Sequence, residues 1–160
     1  MCIRDSSDIR RLVYALRPPT LDELGLVGAI RQYAAQYDTK HASAEEPVRS
    51  LSVVVDSPKE LPALPAAVEV AAYRVVQEAL TNVVRHAQAC SCRIRFSLPE
   101  NGDLQVEITD DGVGLPTEPR AGVGLFSMRE RAEEVGGSCV IEPAPGRGTR
   151  VLVRLPVRKE

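Results

Sequence analysis

The chain of 160 residues has the length of one domain with a short appendage, and its 44% hydrophobic and 26% charged residues are typical of a soluble globular protein. Aromatic residues make up only 4% and Trp is absent, so the predicted core is aliphatic. The net charge of -2 and the lack of a basic patch argue against nucleic acid as a partner. Neither a signal peptide nor an apolar run of about 18 residues is visible, so we expect a cytoplasmic chain without membrane contact. The sequence leaves open whether a longer parent protein is anchored in a membrane.

The first part of the chain predicts two helices separated by prolines. Residues 8–17 carry apolar side chains at spacings of three and four, and Pro18 ends this helix. Thr20 and Glu23 have the spacing of a capping box, which predicts that the next helix begins there. We therefore divide the chain into a helical tail with its junction and a main domain, residues 1–19 and 20–160.

The remaining sequence alternates short strands with two helices. Strands are predicted at residues 51–55, 91–98, 104–108, 138–142 and 149–155. Helices are predicted at residues 66–87 and from 125 to about 135. Asn101-Gly102 is a strong hairpin signal, and hairpins imply antiparallel pairing. The predicted fold class is α+β: a two-layer sandwich with a mixed, mostly antiparallel sheet that helices cover on one face.

One polar row stands out on the long predicted helix. At 100° per residue, Glu78, Asn82 and Arg85 fall within about 60° of one another. An amide oxygen suits Mg²⁺, a guanidinium binds phosphate oxygens, and a carboxylate can orient or deprotonate water or a hydroxyl. Taken alone, such a row more often only faces water.

Three glycine-rich segments follow in order. Asp110-Asp111-Gly112-Val113-Gly114 comes directly after a strand, where an aspartate can accept a hydrogen bond from an exocyclic amine such as that of adenine. Gly122-Val123-Gly124-Leu125 opens a helix, whose N-terminal N–H groups can hold phosphate. Gly146-Arg147-Gly148-Thr149 lies in the last hairpin. Each segment alone is typical of a turn, but their order after the polar row predicts a nucleotide site.

This ordered set resembles the Bergerat ATP-binding fold shared by histidine kinases, Hsp90, DNA gyrase B and MutL. Two segments, Ala15–Leu26 and Gly124–Ala132, are similar to the sensor histidine kinases that pair with helix-turn-helix response regulators. The resemblance implies ATP and Mg²⁺ as ligands, and transfer of the γ-phosphoryl group to a histidine for relay to a response-regulator aspartate. It also implies a homodimeric full-length protein, while this chain lacks most of the surface for dimerisation.

The resemblance also implies roles for individual residues. Asn82 would hold Mg²⁺, Glu78 would assist catalysis at the metal or γ-phosphate, and Asp110 would bind the adenine amino group. Arg85 would contact phosphate, although many relatives have lysine there, and His86 would line the phosphate side or be a partly buried helix histidine. The remaining nucleotide-binding residues implied are Gly112, Gly114, Gly122, Gly124, Leu125 and Thr149.

The phosphoacceptor histidine is where the sequence departs from this family. It would precede the Leu-Arg-Pro junction, yet none of the 16 residues before Arg17 is histidine. His41 lies in a polar stretch and His86 in the long helix, so neither fits. We therefore expect an N-terminally truncated kinase whose target histidine is absent from this chain. A nucleotide-binding module without turnover, an anti-sigma serine kinase and another Bergerat-fold ATPase are the alternatives.

Overall fold

The fold was analysed in a computed structural model, which describes residues 17–37, 51–87, 89–99, 102–113, 125–144, 146 and 148–157. Its helices are α1, α2 and α3, at Pro19–Ala35, Ala66–Asn82 and Leu125–Glu134. Its strands are β1 to β5, at Ser52–Asp56, Ser91–Ser97, Asp103–Asp110, Ser138–Pro143 and Thr149–Pro156. The predicted tail helix before Arg17 and the turn residue Asn101 lie outside the described residues.

The five strands form one sheet in the order β1-β2-β3-β5-β4. β1 runs parallel to β2, and the other three neighbouring pairs are antiparallel. The prediction of a mixed, mostly antiparallel sheet is thus confirmed. The predicted strands agree with the observed ones to within about two residues at each end, which is the usual spread of strand boundaries.

The core lies between the helices and one face of the sheet. Alternate residues of the three central strands are buried on that face, namely Cys92, Ile94, Phe96, Leu104, Val106, Ile108, Val151, Val153 and Leu155. They form one cluster with helix residues that include Leu26, Ile30, Val76, Leu80, Met128 and Ala132. Burying each large aliphatic side chain stabilises the fold by about 1.5–3 kcal/mol. Among the buried residues that the structure describes, only Tyr73 and Phe96 are aromatic, so the predicted aliphatic core is confirmed.

Helix α1 begins differently from the prediction. It starts at Pro19 with Pro18 as the N-cap residue, and no side chain caps it, so the capping box of Thr20 and Glu23 was wrong. A proline in the first turn has its φ already set for a helix and lacks the N–H that would need a partner. Gly25 then breaks the helix at φ 73° and ψ 176°, a backbone conformation that only glycine adopts readily. The single predicted helix is therefore two helical pieces that meet at a kink.

The long predicted helix is confirmed in extent, but its last turn changes character. α2 ends at Asn82, and residues Val83–Ala87 continue it as a π-helical turn. Wider i→i+5 hydrogen bonding turns the chain by less per residue than an α-helix does, and such turns are frequent at functional sites. The spacing argument that aligned Arg85 with Glu78 and Asn82 therefore does not hold beyond Asn82. None of the helices in the described part of the chain is long and apolar enough to cross a membrane.

Candidate functional site

Asp110 is a carboxylate in a core position. It follows Leu104, Val106 and Ile108 on the buried face of β3 and is only 7% exposed. Burial raises the pKa of Asp110 above its ordinary value, and the backbone N–H groups of Gly112 and Thr149 oppose this shift. The Gly112 N–H donates to Oδ1 over 2.9 Å. A carboxylate held in a core is costly unless it is paired, so this position indicates a functional group at the end of the strand.

The neighbouring Asp111 points the other way and has a structural role. It accepts hydrogen bonds from the backbone N–H groups of Cys90 and Ser91 at 2.8 and 2.9 Å, and from the Ser91 hydroxyl at 3.1 Å. These bonds, led by the Ser91 N–H, lower the pKa of Asp111. Asp111 thus joins the end of β3 to the start of β2, and leaves Asp110 as the acid on the helix side of the sheet.

The last hairpin meets Asp110 through Gly148. Gly148 has φ 103°, and a Cβ on it would collide with the carbonyl oxygen of Asp110. Its own carbonyl accepts a 3.0 Å hydrogen bond from the Ala144 N–H, which closes the hairpin. The structure therefore brings together three predicted site residues, Asp110, Gly112 and Thr149. The sequence analysis gave Gly148 no role of its own, because this close approach is a tertiary contact.

Glu78 is held by two side chains from α3. Its Oε1 accepts hydrogen bonds from the Ser127 hydroxyl at 2.9 Å and from Arg131 Nε at 3.2 Å. Its Oε2 is buried and has no hydrogen-bond partner among the described residues. The sequence analysis missed Ser127 and Arg131, although their spacing of four on one helix face was readable.

Asn82 lies one helical turn after Glu78 and is partly buried. Within the described ranges its side-chain amide makes no hydrogen bond. Those ranges also contain no group of three or more His, Cys, Asp or Glu residues that could hold a metal by itself. The amide oxygen of Asn82 fits a hard cation such as Mg²⁺, which keeps waters and shares substrate phosphates. Glu78 Oε2, which has no partner among the described residues, can accept a hydrogen bond from such a water.

The structure describes only some of the other predicted site residues. Arg85 is exposed on the π-helical turn, which also contains His86. Leu125 is the first residue of α3. The glycines expected near the phosphates, Gly114, Gly122 and Gly124, lie outside the described residues.

A cavity of about 460 Å³ lies on the opposite side of the sheet. Besides residues at the strand ends, including Asp110 and Asp111, it is lined by outward-pointing side chains of the first three strands, among them Val54, Arg93, Arg95, Glu107 and Thr109. Neither Glu78 nor Asn82 reaches it. We therefore place the candidate site on the helix side, where Glu78 and Asn82 lie.

Comparison with known proteins identifies the family. Residues 67–159 match the histidine kinase-, DNA gyrase B- and HSP90-like ATPases. This match covers more than half of the chain, and the chain belongs to this family as an ATPase domain of the histidine-kinase type.

Two sensor kinases are similar to it in sequence. The oxygen sensor histidine kinase NreB of Staphylococcus carnosus is 35% identical over 153 residues, which are 94% of this chain and 42% of that protein. The signal transduction histidine-protein kinase/phosphatase DegS of Brevibacillus brevis is 30% identical over 164 residues, which are 96% of this chain and 38% of that protein. The chain thus spans about two fifths of the length of these relatives.

A solved structure supports the fold. The histidine kinase domain of the blue-light activated histidine kinase of Erythrobacter litoralis EL346 superposes with a TM-score of 0.66. The sequences are 21% identical, and the match covers 82% of this chain and 65% of that chain. At this identity the likeness concerns the fold, an open α+β sandwich.

Proposed function

We propose that this chain binds Mg-ATP and is the catalytic domain of a two-component sensor histidine kinase. One observation carries the proposal: Glu78 has one oxygen bonded to Ser127 and Arg131 and the other without a partner among the described residues, and it lies one turn before the partly buried amide of Asn82. Family membership supports ATP as the nucleotide. The transfer of phosphate goes beyond family membership and rests on these side chains.

The adenine end of the nucleotide is assigned to the end of β3. The Asp110 carboxylate would accept a hydrogen bond from the exocyclic amino group, and its burial would strengthen that bond by excluding water. The Gly112 and Thr149 backbones hold this carboxylate in place. Further residues that we assign to the nucleotide are Gly114, Gly122, Gly124, Leu125 and His86.

The phosphate end is assigned to the end of α2. Asn82 would hold Mg²⁺ through its amide oxygen, and Arg85 would bind phosphate oxygens from the exposed π-helical turn. Mg²⁺, when bound, neutralises phosphate charge. Glu78 would accept a hydrogen bond through Oε2 from water beside the γ-phosphate.

The reaction is phosphoryl transfer to nitrogen. The bond from the γ-phosphorus to the bridging oxygen breaks, a P–N bond to an imidazole nitrogen forms, and ADP leaves with the electron pair. The imidazole N–H proton is released to solvent. This chain's residues contribute position and charge, which carry most of the catalysis in phosphoryl transfer.

The proposal for the whole protein is wider than this chain. The acceptor histidine would belong to another segment of the parent protein, which would act as a homodimer and pass the phosphoryl group to a response regulator of the helix-turn-helix type. Residues 1–19 would be the end of a dimerisation helix with its junction, and residues 20–160 the ATP-binding domain. The oxygen sensor histidine kinase NreB, of which this chain spans 42%, supports a parent protein that is longer than this chain.

The test is transfer of label from [γ-³²P]ATP to a separately expressed, histidine-bearing dimerisation segment of the parent protein. We expect acid-labile, base-stable label on that segment, dependent on Mg²⁺ and lost in Glu78→Gln. Binding of Mg-ATP without any transfer would refute the kinase and leave a nucleotide-binding module. Label on a serine would indicate a serine kinase of the same fold.

A further inference from the structure

We propose that Ser127 and Arg131 are positioning residues that act through Glu78. They hold one carboxylate oxygen so that the other stays directed to the phosphate end of the site. This inference rests on the proposed function and assigns a catalytic consequence to two contacts between α2 and α3.

Both donors converge on the same atom. Ser127 Oγ and Arg131 Nε lie 2.9 and 3.2 Å from Glu78 Oε1. Two bonds from different directions restrict rotation of the carboxylate about its last torsion, which is otherwise broad. The hydrogen bond from Arg131 joins two opposite charges, and the two side chains are 40% and 25% exposed. The rotamer of Glu78 is therefore set by α3 as much as by its own helix.

The second carboxylate oxygen of Glu78 does not stabilise the fold. Oε2 is buried and lacks a donor among the described residues, which destabilises the folded state. Arg131 has further N–H groups, yet none of them satisfies Oε2. An acceptor left open while its neighbour is doubly bonded is expected where a ligand supplies the missing donor.

The packing of α3 fixes this geometry. Met128 and Ala132 are buried in the core at 1% and 0% exposure, one residue after Ser127 and Arg131 respectively. The two donors are four residues apart and therefore lie on one face of the helix, beside this buried pair. The docking of α3 on the core therefore holds both donors beside Glu78.

The test compares variants of this chain in the transfer assay and in nucleotide binding. We expect Ser127→Ala and Arg131→Gln each to lower kcat by about tenfold to a hundredfold, because a small displacement of a catalytic group is enough for such a loss. The Kd for Mg-ATP should stay within about twofold, since the loss falls on the transition state and leaves nucleotide binding unchanged. Ser127→Thr keeps a hydroxyl and should restore kcat.

Two controls separate positioning from general damage. Arg129→Gln removes the same charge from an exposed position of α3 and should leave kcat unchanged. The double variant Ser127→Ala/Arg131→Gln should lose less kcat than the product of the two single losses if both residues act only through Glu78. Thermal unfolding of each variant reports whether the domain is intact.

Each outcome decides the proposal. A fall in kcat with Kd kept, and rescue by threonine, supports it. A wild-type-like kcat in both variants overturns it while the proposed function stands. A higher kcat overturns it as well, because the contacts would then restrain Glu78 in a resting state. A wild-type chain that binds Mg-ATP and never transfers phosphate overturns the proposed function and this inference with it.

Discussion

Gly148 lies directly against the carbonyl group of Asp110, so that the last hairpin touches the end of β3 with no side chain between them. Its φ of 103° is in the left-handed region, which disfavours every residue except glycine. Position 148 therefore requires glycine for two reasons: its positive φ, and its close contact with the backbone of Asp110. The contact places the Thr149 N–H beside the Asp110 carboxylate.

Gly148→Ala should displace the hairpin and disturb the proposed adenine end. We expect the free energy of unfolding to fall by about 2–4 kcal/mol, the sum of strain and overpacking, and ATP affinity to fall with it. Gly146→Ala is the matched control, because Gly146 also has positive φ, 89°, but a Cβ added there would meet nothing within 4 Å. The free energy of unfolding of Gly146→Ala should fall by only about 1–2 kcal/mol. If urea unfolding showed the same loss of stability in Gly148→Ala and Gly146→Ala, the close contact of Gly148 with Asp110 would not matter for stability.

Asp110→Asn should separate stability from binding. Burial raises the folded-state pKa of Asp110, so its effect on stability is most favourable below the unfolded value of 3.8 and is lost as pH rises through the folded value. The amide carries no charge to bury and can still accept the Gly112 N–H. We expect the variant to be at least as stable as wild type near pH 7, with the difference shrinking toward pH 4, about the unfolded pKa.

The same variant, Asp110→Asn, should bind ATP more weakly even though its stability is kept. Loss of a charged acceptor should weaken ATP binding by about tenfold to a hundredfold, as for other hydrogen bonds to charged groups. Isothermal titration of wild type and variant measures this. Undiminished affinity would remove Asp110 from the adenine site.

The effect of Asp111→Ala on stability should depend on pH in the opposite direction to that of Asp110→Asn. Hydrogen bonds from Ser91 and Cys90 lower the pKa of Asp111, so its stabilisation is present above the unfolded value of 3.8 and is lost as pH falls through the folded value. Because this carboxylate is exposed, we expect a loss of only about 1 kcal/mol near neutral pH. Urea unfolding at neutral and acidic pH measures it. If the stability difference between wild type and variant did not shrink at acidic pH, the ionised Asp111 carboxylate would not be what joins β2 to β3.

The sheet and its buried face could be predicted from the sequence because strand periodicity is local. Ile94, Phe96, Val106 and Ile108 follow the period of two that a half-buried strand requires. Asp110 could also be singled out, since it stands at the end of a predicted strand and directly before a glycine-rich segment. These features need no knowledge of which element packs on which.

The other features depend on tertiary contacts or on a change of helical period. Gly25 was included in a continuous helix, because glycine alone does not reveal whether a helix kinks. The π-helical turn at residues 83–87 invalidates a fixed 100° rotation. Ser127 and Arg131 became visible as partners of Glu78 only when α2 and α3 were placed together.

Arg17 ties the junction before α1 to the start of α2. Its Nε donates to Asp22 at 2.8 Å, and its Nη2 lies 3.2 Å from Glu69 Oε1. The Arg17 side chain is 17% exposed. Arg17→Met should lower the free energy of unfolding by about 1–2 kcal/mol, because a partly buried charged network loses its centre.

The two acids should contribute unequally to this junction. Asp22 is 67% exposed and Glu69 only 20%, so screening by solvent weakens the first pair more. We expect Glu69→Gln to destabilise the domain more than Asp22→Asn. Double-mutant cycles with Arg17→Met measure both couplings. A larger coupling to Asp22 would show that burial does not set the strength of these pairs.

Asn82 provides the sharpest test of the proposed metal ligand. Its amide makes no hydrogen bond to another described residue, so its removal breaks no bond within that part of the chain and should change stability little. Asn82→Ala should weaken Mg-ATP binding by about tenfold, whereas ATP binding measured in EDTA should stay unchanged, because only the metal-dependent part of the affinity is lost. Asn82→Asp keeps an oxygen ligand but adds a negative charge beside the phosphates. It should alter the Mg²⁺ concentration needed for half-maximal binding, and identical Mg²⁺ dependence in wild type and both variants would exclude Asn82 as a ligand.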